Sequence, residues 1–192
     1  TKTRLLYKTL YNEIYEGVYK NKECIIKILP NNRYSRKELD ILYRLKNDHG
    51  YSQLIDHEMK PNQISIIMKK YDVDLFNVIV QPSKYDITEQ YINKFLVDIS
   101  SSLLRFREHY GYFHSDVKPA NIFIEDDNSF ILGDFDMSIK YTNNNIIEEC
   151  GTDKYIAPEI AYYKYAHKKS DVWSLGITLG FMLSRQKLDR KS

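Results

Sequence analysis

The chain has 192 residues, 43% hydrophobic and 28% charged, which is ordinary globular usage; it excludes a disordered chain and leaves enough apolar residues for a real core. Lys and Arg total 28 against 26 Asp and Glu, and a formal net charge of +2 gives no argument for a nucleic-acid or membrane-surface partner. Cys24 and Cys150 lie far apart, which excludes a cysteine-paired metal site or a disulfide framework, fits a reducing compartment, and leaves two thiols expected to be buried or idle.

Thr1 to Leu10 contains no continuous apolar run of the signal-peptide kind, and no stretch reaches the ~18 apolar residues that a membrane span requires. The expectation is a soluble intracellular protein, cytoplasmic or nuclear, built as one domain with two lobes. The first half favours strands. Ile25 to Leu29 is β-branched and closed by Pro30, and Gln63 to Lys69 alternates around Ile64, Ile66 and Met68. Between them Ser35-Arg36-Lys37-Glu38 matches a capping box, and Leu39, Leu42 and Leu45 follow at helical spacing. A boundary near Tyr71 to Asp74 divides a strand-rich N-terminal part, residues 1–70, from a mostly helical part, residues 71–192.

After Asp86, residues Ile92, Phe95, Leu96, Ile99, Leu103 and Phe106 trace one face of a long helix that ends near Gly111. Asn121 to Ile124 and Phe130 to Leu132 read as a hairpin around the polar turn Glu125 to Ser129. The run Asn143-Asn144-Asn145 reads as a loop tip. Asp171 to Leu183 is apolar on nearly all sides and too short to span a membrane, so it is expected to be a helix buried in a helical lobe.

The segment with the most chemistry is His114-Ser115-Asp116-Val117-Lys118-Pro119-Ala120-Asn121, between the long helix and a strand. On residue types alone, an acid, a cation and an amide on one turn suit a reaction that needs positioning and charge neutralisation, though a turn with solvated charges has the same composition. The segment resembles the catalytic loop of eukaryotic-type protein kinases, with Ser115 where most members carry Arg. The resemblance implies that Asp116 accepts the proton of the substrate hydroxyl, Lys118 neutralises charge on the moving phosphoryl group, and Asn121 ligates magnesium.

Further motifs follow in the family's order. Asp134-Phe135-Asp136 stands where the family has Asp-Phe-Gly, which makes Asp134 the expected principal magnesium ligand and Asp136 a departure, since Asp takes positive φ less freely than Gly. Gly151 to Glu159, ending in Ala157-Pro158-Glu159, resembles the end of an activation segment and the peptide-substrate platform. Thr152 and Lys118 together look like the serine/threonine branch. Ser170 to Gly176 resembles the start of the F-helix, where Asp171 is expected to brace the catalytic-loop backbone.

In the N-terminal part, Lys27 takes the place of the strand lysine that holds the α and β phosphates of ATP, although an exposed strand lysine would look the same; Glu38 is its expected partner unless it closes the capping box with Ser35. Met68 falls at the gatekeeper position, and Lys69, Lys70 and Tyr71 at the hinge whose backbone binds adenine. Aligning Val18 with the valine of the glycine-rich loop puts Tyr11, Glu13 and Glu16 where glycines belong and leaves Gly17 displaced; carboxylates there are expected to repel phosphate and weaken nucleotide binding.

The resemblance therefore implies an α+β, bilobal protein-kinase fold, and an ATP- and Mg²⁺-dependent serine/threonine kinase acting on a protein substrate. The catalytic-loop wording looks most like Wee-type, NIMA-related and eIF2α kinases. The alternative is an inactive pseudokinase that binds a partner protein. A related small-molecule phosphotransferase is a third reading, against which Gly151 to Glu159 argues. The helical lobe is expected to close after Asp171 to Leu183, pared down or cut short, with no distal arginine for Glu159. Without an Arg at position 115, activity is expected not to depend on activation-loop phosphorylation.

Overall fold

The computed structural model describes residues 1–81, 83–125, 128–142 and 151–189. The Asn143 to Asn145 loop tip, Cys150 and the middle of the Glu125 to Ser129 turn lie outside the described residues. Two compact units divide after Tyr71: Thr1–Tyr71 and Asp72–Ser192.

The first unit is an antiparallel sheet of β1 (Lys2–Lys8), β2 (Glu13–Tyr19), β3 (Lys22–Pro30), β4 (Leu54–Lys60) and β5 (Gln63–Lys69), in the order β1-β2-β3-β5-β4, with helix α1 (Arg33–Arg44) between β3 and β4. The two apolar runs form the centre, β3 and β5. Along β3 the side chains of Cys24, Ile26, Ile28 and Leu29 are buried, as are Ile64 and Ile66 of β5. Register follows from the ladders. Ile14 and Ile66 both oppose Lys27, while Glu16 and Met68 oppose Ile25. Because side chains alternate, Ile14, Glu16, Val18, Ile25, Lys27, Ile66 and Met68 share one face of the sheet.

Helix α1 begins a turn earlier than the Ser35 capping box implied. Asn32 is the N-cap, its side chain accepting from Tyr34 N (2.9 Å) and Ser35 N (3.1 Å). Asn outcompetes Ser here because it lies where the chain is still extended, at φ −133° and ψ −178°. Leu39, Ile41, Leu42 and Leu45 form its buried stripe. Each contributes about 1.5–3 kcal/mol on removal from water, so packing rather than capping fixes the helix.

The second unit contains β6 (Val73–Asp74), α2 (Leu75–Val80), α3 (Glu89–Glu108), β7 (Tyr112–Phe113), a 3₁₀ turn (Pro119–Asn121), β8 (Ile122–Ile124), β9 (Phe130–Leu132), β10 (Ile139–Lys140), α4 (Pro158–Tyr163) and α5 (Ser170–Asp189). Thr88 caps α3 by accepting from Tyr91 N at 3.1 Å. The predicted face of α3 is the buried one, with Ile92, Phe95, Ile99, Leu103 and Phe106 turned inward. Phe95 meets Phe130 edge-on at 5.4 Å, and Phe106 packs on Tyr112 and Phe135. The hairpin β8–β9 forms as read, with Ile122 opposite Leu132, and β6 adds a third strand.

Helix α5 corrects an expectation. It is buried on one face only, through Ser174, Leu175, Thr178 and Met182, while Val172, Trp173, Phe181 and Leu183 are exposed. Helices α2 and α3 pack against it, Ser170 Oγ donates to Glu159 of α4 at 2.7 Å, and Tyr155 meets Phe181 at 5.8 Å. No described helix is long and apolar enough to cross a membrane.

Candidate active site

The loop after β7 is fixed from below by Asp171 at the start of α5. Its carboxylate accepts from His114 N (2.9 Å) and Ser115 N (2.8 Å), and all three residues are buried. Charge-assisted bonds of this kind are about twice as strong as neutral ones. Ser115 takes a left-handed φ of +67°, which bends the chain between the two amides and the next residue, Asp116. His114 links the loop sideways. Asp116 N donates to Nδ1 at 3.3 Å, which leaves the proton on Nε2 to donate to Gly133 O at 3.0 Å. Its ring packs against Phe106 and Phe135. Asp171→Ala leaves two buried amides unpaired at about 1–3 kcal/mol each, so chemical denaturation should show a loss of several kcal/mol.

The Asp116 side chain receives three donors. Lys118 Nζ (2.7 Å) and Asn121 Nδ2 (3.0 Å) reach Oδ2, and Thr152 Oγ1 (2.7 Å) reaches Oδ1. Lys118 Nζ also donates to Thr152 Oγ1 at 2.8 Å, and Asn121 Nδ2 to the Asp116 carbonyl at 2.9 Å. The carboxylate plane is thus locked, at 5% exposure, with a cation and a hydroxyl at its rim. Thr152 reaches it because Gly151 lies flat on the loop. A Cβ at Gly151 would stand 2.5 Å from Ser115 O, and its φ is +86°, so no other residue fits without displacing that backbone. The sequence shows Gly151 only as the start of the Gly151 to Glu159 motif, because its contact with Ser115 joins segments distant in the chain.

Asn121 and Asp134 are brought together by the hairpin. Gly133 N donates to Asn121 O at 2.9 Å, and Asp134 follows directly, half-exposed, at φ +62°. Among the described residues no three His, Cys, Asp or Glu side chains gather into a metal-binding group. An amide and a carboxylate, both hard oxygen donors, fit Mg²⁺, which characteristically takes one or two protein ligands and completes its shell with water and phosphate. They do not fit a structural zinc or calcium cage.

In the first unit, Lys27 Nζ donates to Glu38 Oε1 at 2.7 Å, with the two side chains 4% and 3% exposed. With Asn32 as the cap, Glu38 is free of the capping-box role and takes the ion pair. Val18 is exposed, Met68 is half-buried and Lys69 N donates to Gln53 O at 2.9 Å. Lys70 Nζ pairs with Glu16 (3.2 Å) and Glu23 (3.1 Å), and Tyr71 accepts from Gln53 N at 3.3 Å.

A buried lysine–glutamate pair, an Asp–Lys–Asn loop and an aspartate after a hairpin occur here in one chain order, and the protein kinase domain family model matches residues 11–191. The chain belongs to the protein kinase domain family. Among its relatives, the carbon catabolite-derepressing protein kinase of Saccharomyces cerevisiae is 30% identical over 187 residues, 96% of this chain and 29% of that protein. The G2-specific protein kinase fin1 of Schizosaccharomyces pombe is 30% identical, over 77% of this chain and 24% of the relative. The serine/threonine-protein kinase PLK4 of Xenopus tropicalis is 29% identical, over 80% of this chain and 16% of the relative. The chain thus spans less than a third of the length of these relatives.

Three departures of this kinase domain from the family pattern acquire a structural account. Asp136 does not need positive φ; it sits in a turn closed by Ser138 N donating to Phe135 O at 3.1 Å, and the left-handed residue is Asp134 instead. The backbone cost anticipated at position 136 is therefore absent. Gly17 is a strand glycine. A Cβ on it would meet Ile26 Cδ1 at 2.6 Å and Thr1 O at 2.7 Å, so its smallness serves sheet packing. The carboxylates on β2 are each ion-paired, Glu13 with Lys8 (2.6 Å) and Glu16 with Arg4 (2.9 Å) and Lys70, and hydrogen bonds from these cations hold both below the usual carboxylate range. The expected phosphate-repelling charge is balanced locally.

Proposed function

We propose that this kinase domain transfers the γ-phosphoryl group of ATP, with Mg²⁺, to serine or threonine hydroxyls of a protein substrate in an intracellular compartment. The observation that carries the reading is the Asp116 carboxylate with its three donors, a base held rigidly with a cation at its edge. In this reading Asp116 orients the acceptor hydroxyl and takes its proton as the bond to phosphorus forms, while Lys118 faces the charge that develops on the transferring group. Asn121 and Asp134 would hold Mg²⁺, which supplies charge neutralisation at the phosphates when bound. Lys27, kept in place by Glu38, would hold the α and β phosphates, and Met68 with the Lys69–Tyr71 backbone would line the purine end. Thr152 on both Asp116 and Lys118 supports the serine/threonine assignment. The relatives' printed names point the same way, and the buried free thiol Cys24 suits a reducing setting.

A non-catalytic, partner-binding domain is the competing reading, favoured by the glycine-poor β1–β2 turn. Incubation with radiolabelled ATP, Mg²⁺ and a mixed peptide library decides: label on serine or threonine supports the kinase, and label on tyrosine alone or on no peptide refutes it. Ser115 bears on control. With no guanidinium at that position to receive an activation-segment phosphate, Thr142→Ala is expected to leave kcat within about twofold, as for an ordinary exposed substitution. Loss of activity on Thr142→Ala, with phosphate found on Thr142 of the wild type, would contradict this.

A further inference from the structure

Between α4 and the exposed face of α5 lies a cavity of about 700 Å³, the size of a ligand pocket. Its floor is apolar, made by Val172, Trp173 and Ile177 of α5 with Gly176 among them. Trp173 is the one tryptophan of the chain, a residue type that is highly buried on average, and it stays 46% exposed there. Gly176 adds an independent sign. A glycine inside a helix is destabilising relative to alanine, yet a Cβ built on Gly176 meets nothing within 4 Å. No described neighbour requires the missing side chain, and its absence keeps the floor open.

The loop from α4 to α5 forms the opposite wall. Tyr165 stacks on His167 at 6.4 Å, and both line the cavity together with Lys169. Lys164, Lys168 and Lys169 of this loop are exposed, and the last two have no ion-pair partner among the described residues. The carboxylate among the lining residues is Glu159, which already accepts from Ser170 Oγ at 2.7 Å. An apolar floor under a cationic rim disfavours a second copy of this chain, since a self-complementary pairing sets one cationic rim on another.

We propose that this groove is a docking surface for an acidic segment of a partner protein, which seats an aliphatic or aromatic side chain on Trp173 and sets its carboxylates on Lys168 and Lys169. The buried anchor supplies affinity, and the lysines supply selectivity. Single-stranded nucleic acid also combines cations with aromatic stacking, but Val172 and Ile177 make this floor a pocket for one apolar side chain and not a row of stacking rings.

The emission of Trp173, as the sole tryptophan, reads the groove directly. The full chain is titrated with a short peptide holding Leu-Phe between two runs of Glu, with its Ser-Ser counterpart in place of Leu-Phe, and with a version in which Lys replaces every Glu. The first should move the emission to shorter wavelength, saturate, and bind more weakly as salt rises; the other two should bind at least about tenfold more weakly. The charge-reversed Lys168→Glu/Lys169→Glu protein should lose about tenfold for the acidic peptide and gain affinity for the basic one, with an unchanged thermal midpoint. An unmoved emission, equal binding of acidic and basic peptides, or an unchanged affinity in the charge-reversed protein overturns the proposal. So does tighter binding of oligothymidylate than of the acidic peptide, which would make nucleic acid the occupant. An emission shift with protein concentration alone, with a dimer in sedimentation, overturns it in favour of a second copy.

Discussion

Replacing Asp116 by Asn is expected to lower phosphoryl transfer by on the order of 10²- to 10⁴-fold, the range for loss of a positioned base. The substitution keeps the shape of the side chain but turns one accepting oxygen into a donor. At that position the carboxylate meets Lys118 Nζ and Asn121 Nδ2 through Oδ2 and Thr152 Oγ1 through Oδ1; an amide can keep its oxygen on the first two and donate to the Thr152 hydroxyl, which turns to accept, but it has no basic oxygen to take a proton. The loop itself is held by Asp171 and by His114 to Gly133, contacts that do not pass through the Asp116 side chain. Thermal stability and ATP affinity should therefore change little while kcat collapses. A variant that loses stability in proportion to rate would show Asp116 to be a structural residue.

Lys27→Met is expected to cost about 3–5 kcal/mol of stability, because it removes the cationic partner of the Glu38 carboxylate, which is 2% exposed. The pair joins β3 to α1, and both side chains are almost wholly withdrawn from water. The double variant Lys27→Met/Glu38→Leu also removes the buried carboxylate and should recover most of that loss, since replacing both members of a buried pair by apolar groups is often neutral. It should not recover ATP binding, which in the proposed function needs the lysine itself. Denaturant unfolding of the single and double variants, with nucleotide titration alongside, separates these outcomes. Equal destabilisation of both would mean that packing around β3 and α1, rather than the buried carboxylate, sets the cost.

What could be read from the chain in advance was what lies contiguous in it. His114 to Asn121 and Asp134 were legible because their residue types and spacing are themselves the pattern, and β5, the β8–β9 hairpin and α3 because their apolar periodicity is strong. The strands β1, β2 and β4 escaped reading. β1 is exposed along its whole length, and its Lys, Arg and Leu residues carry no alternation of period two, so the ladder rather than the pattern makes it a strand. Glu38 had two mutually exclusive roles in the sequence, and only the position of the Asn32 cap chose between them. Helix α5 misled for the opposite reason: an apolar composition says that a helix can be buried, not which of its faces finds a partner. Gly151 against Ser115 and His114 against Gly133 join segments distant in the chain, and no local signal records such contacts.

The central claim is that Asp116 and its donors form a working phosphoryl-transfer base. The most direct measurement is initial-rate transfer from ATP to a serine/threonine acceptor, with and without Mg²⁺, for wild type and Asp116→Asn at equal protein concentration. The account predicts Mg²⁺-dependent transfer by the wild type and its near-abolition in Asp116→Asn. Equal transfer by the two proteins, or none by a wild type that binds ATP, would contradict it.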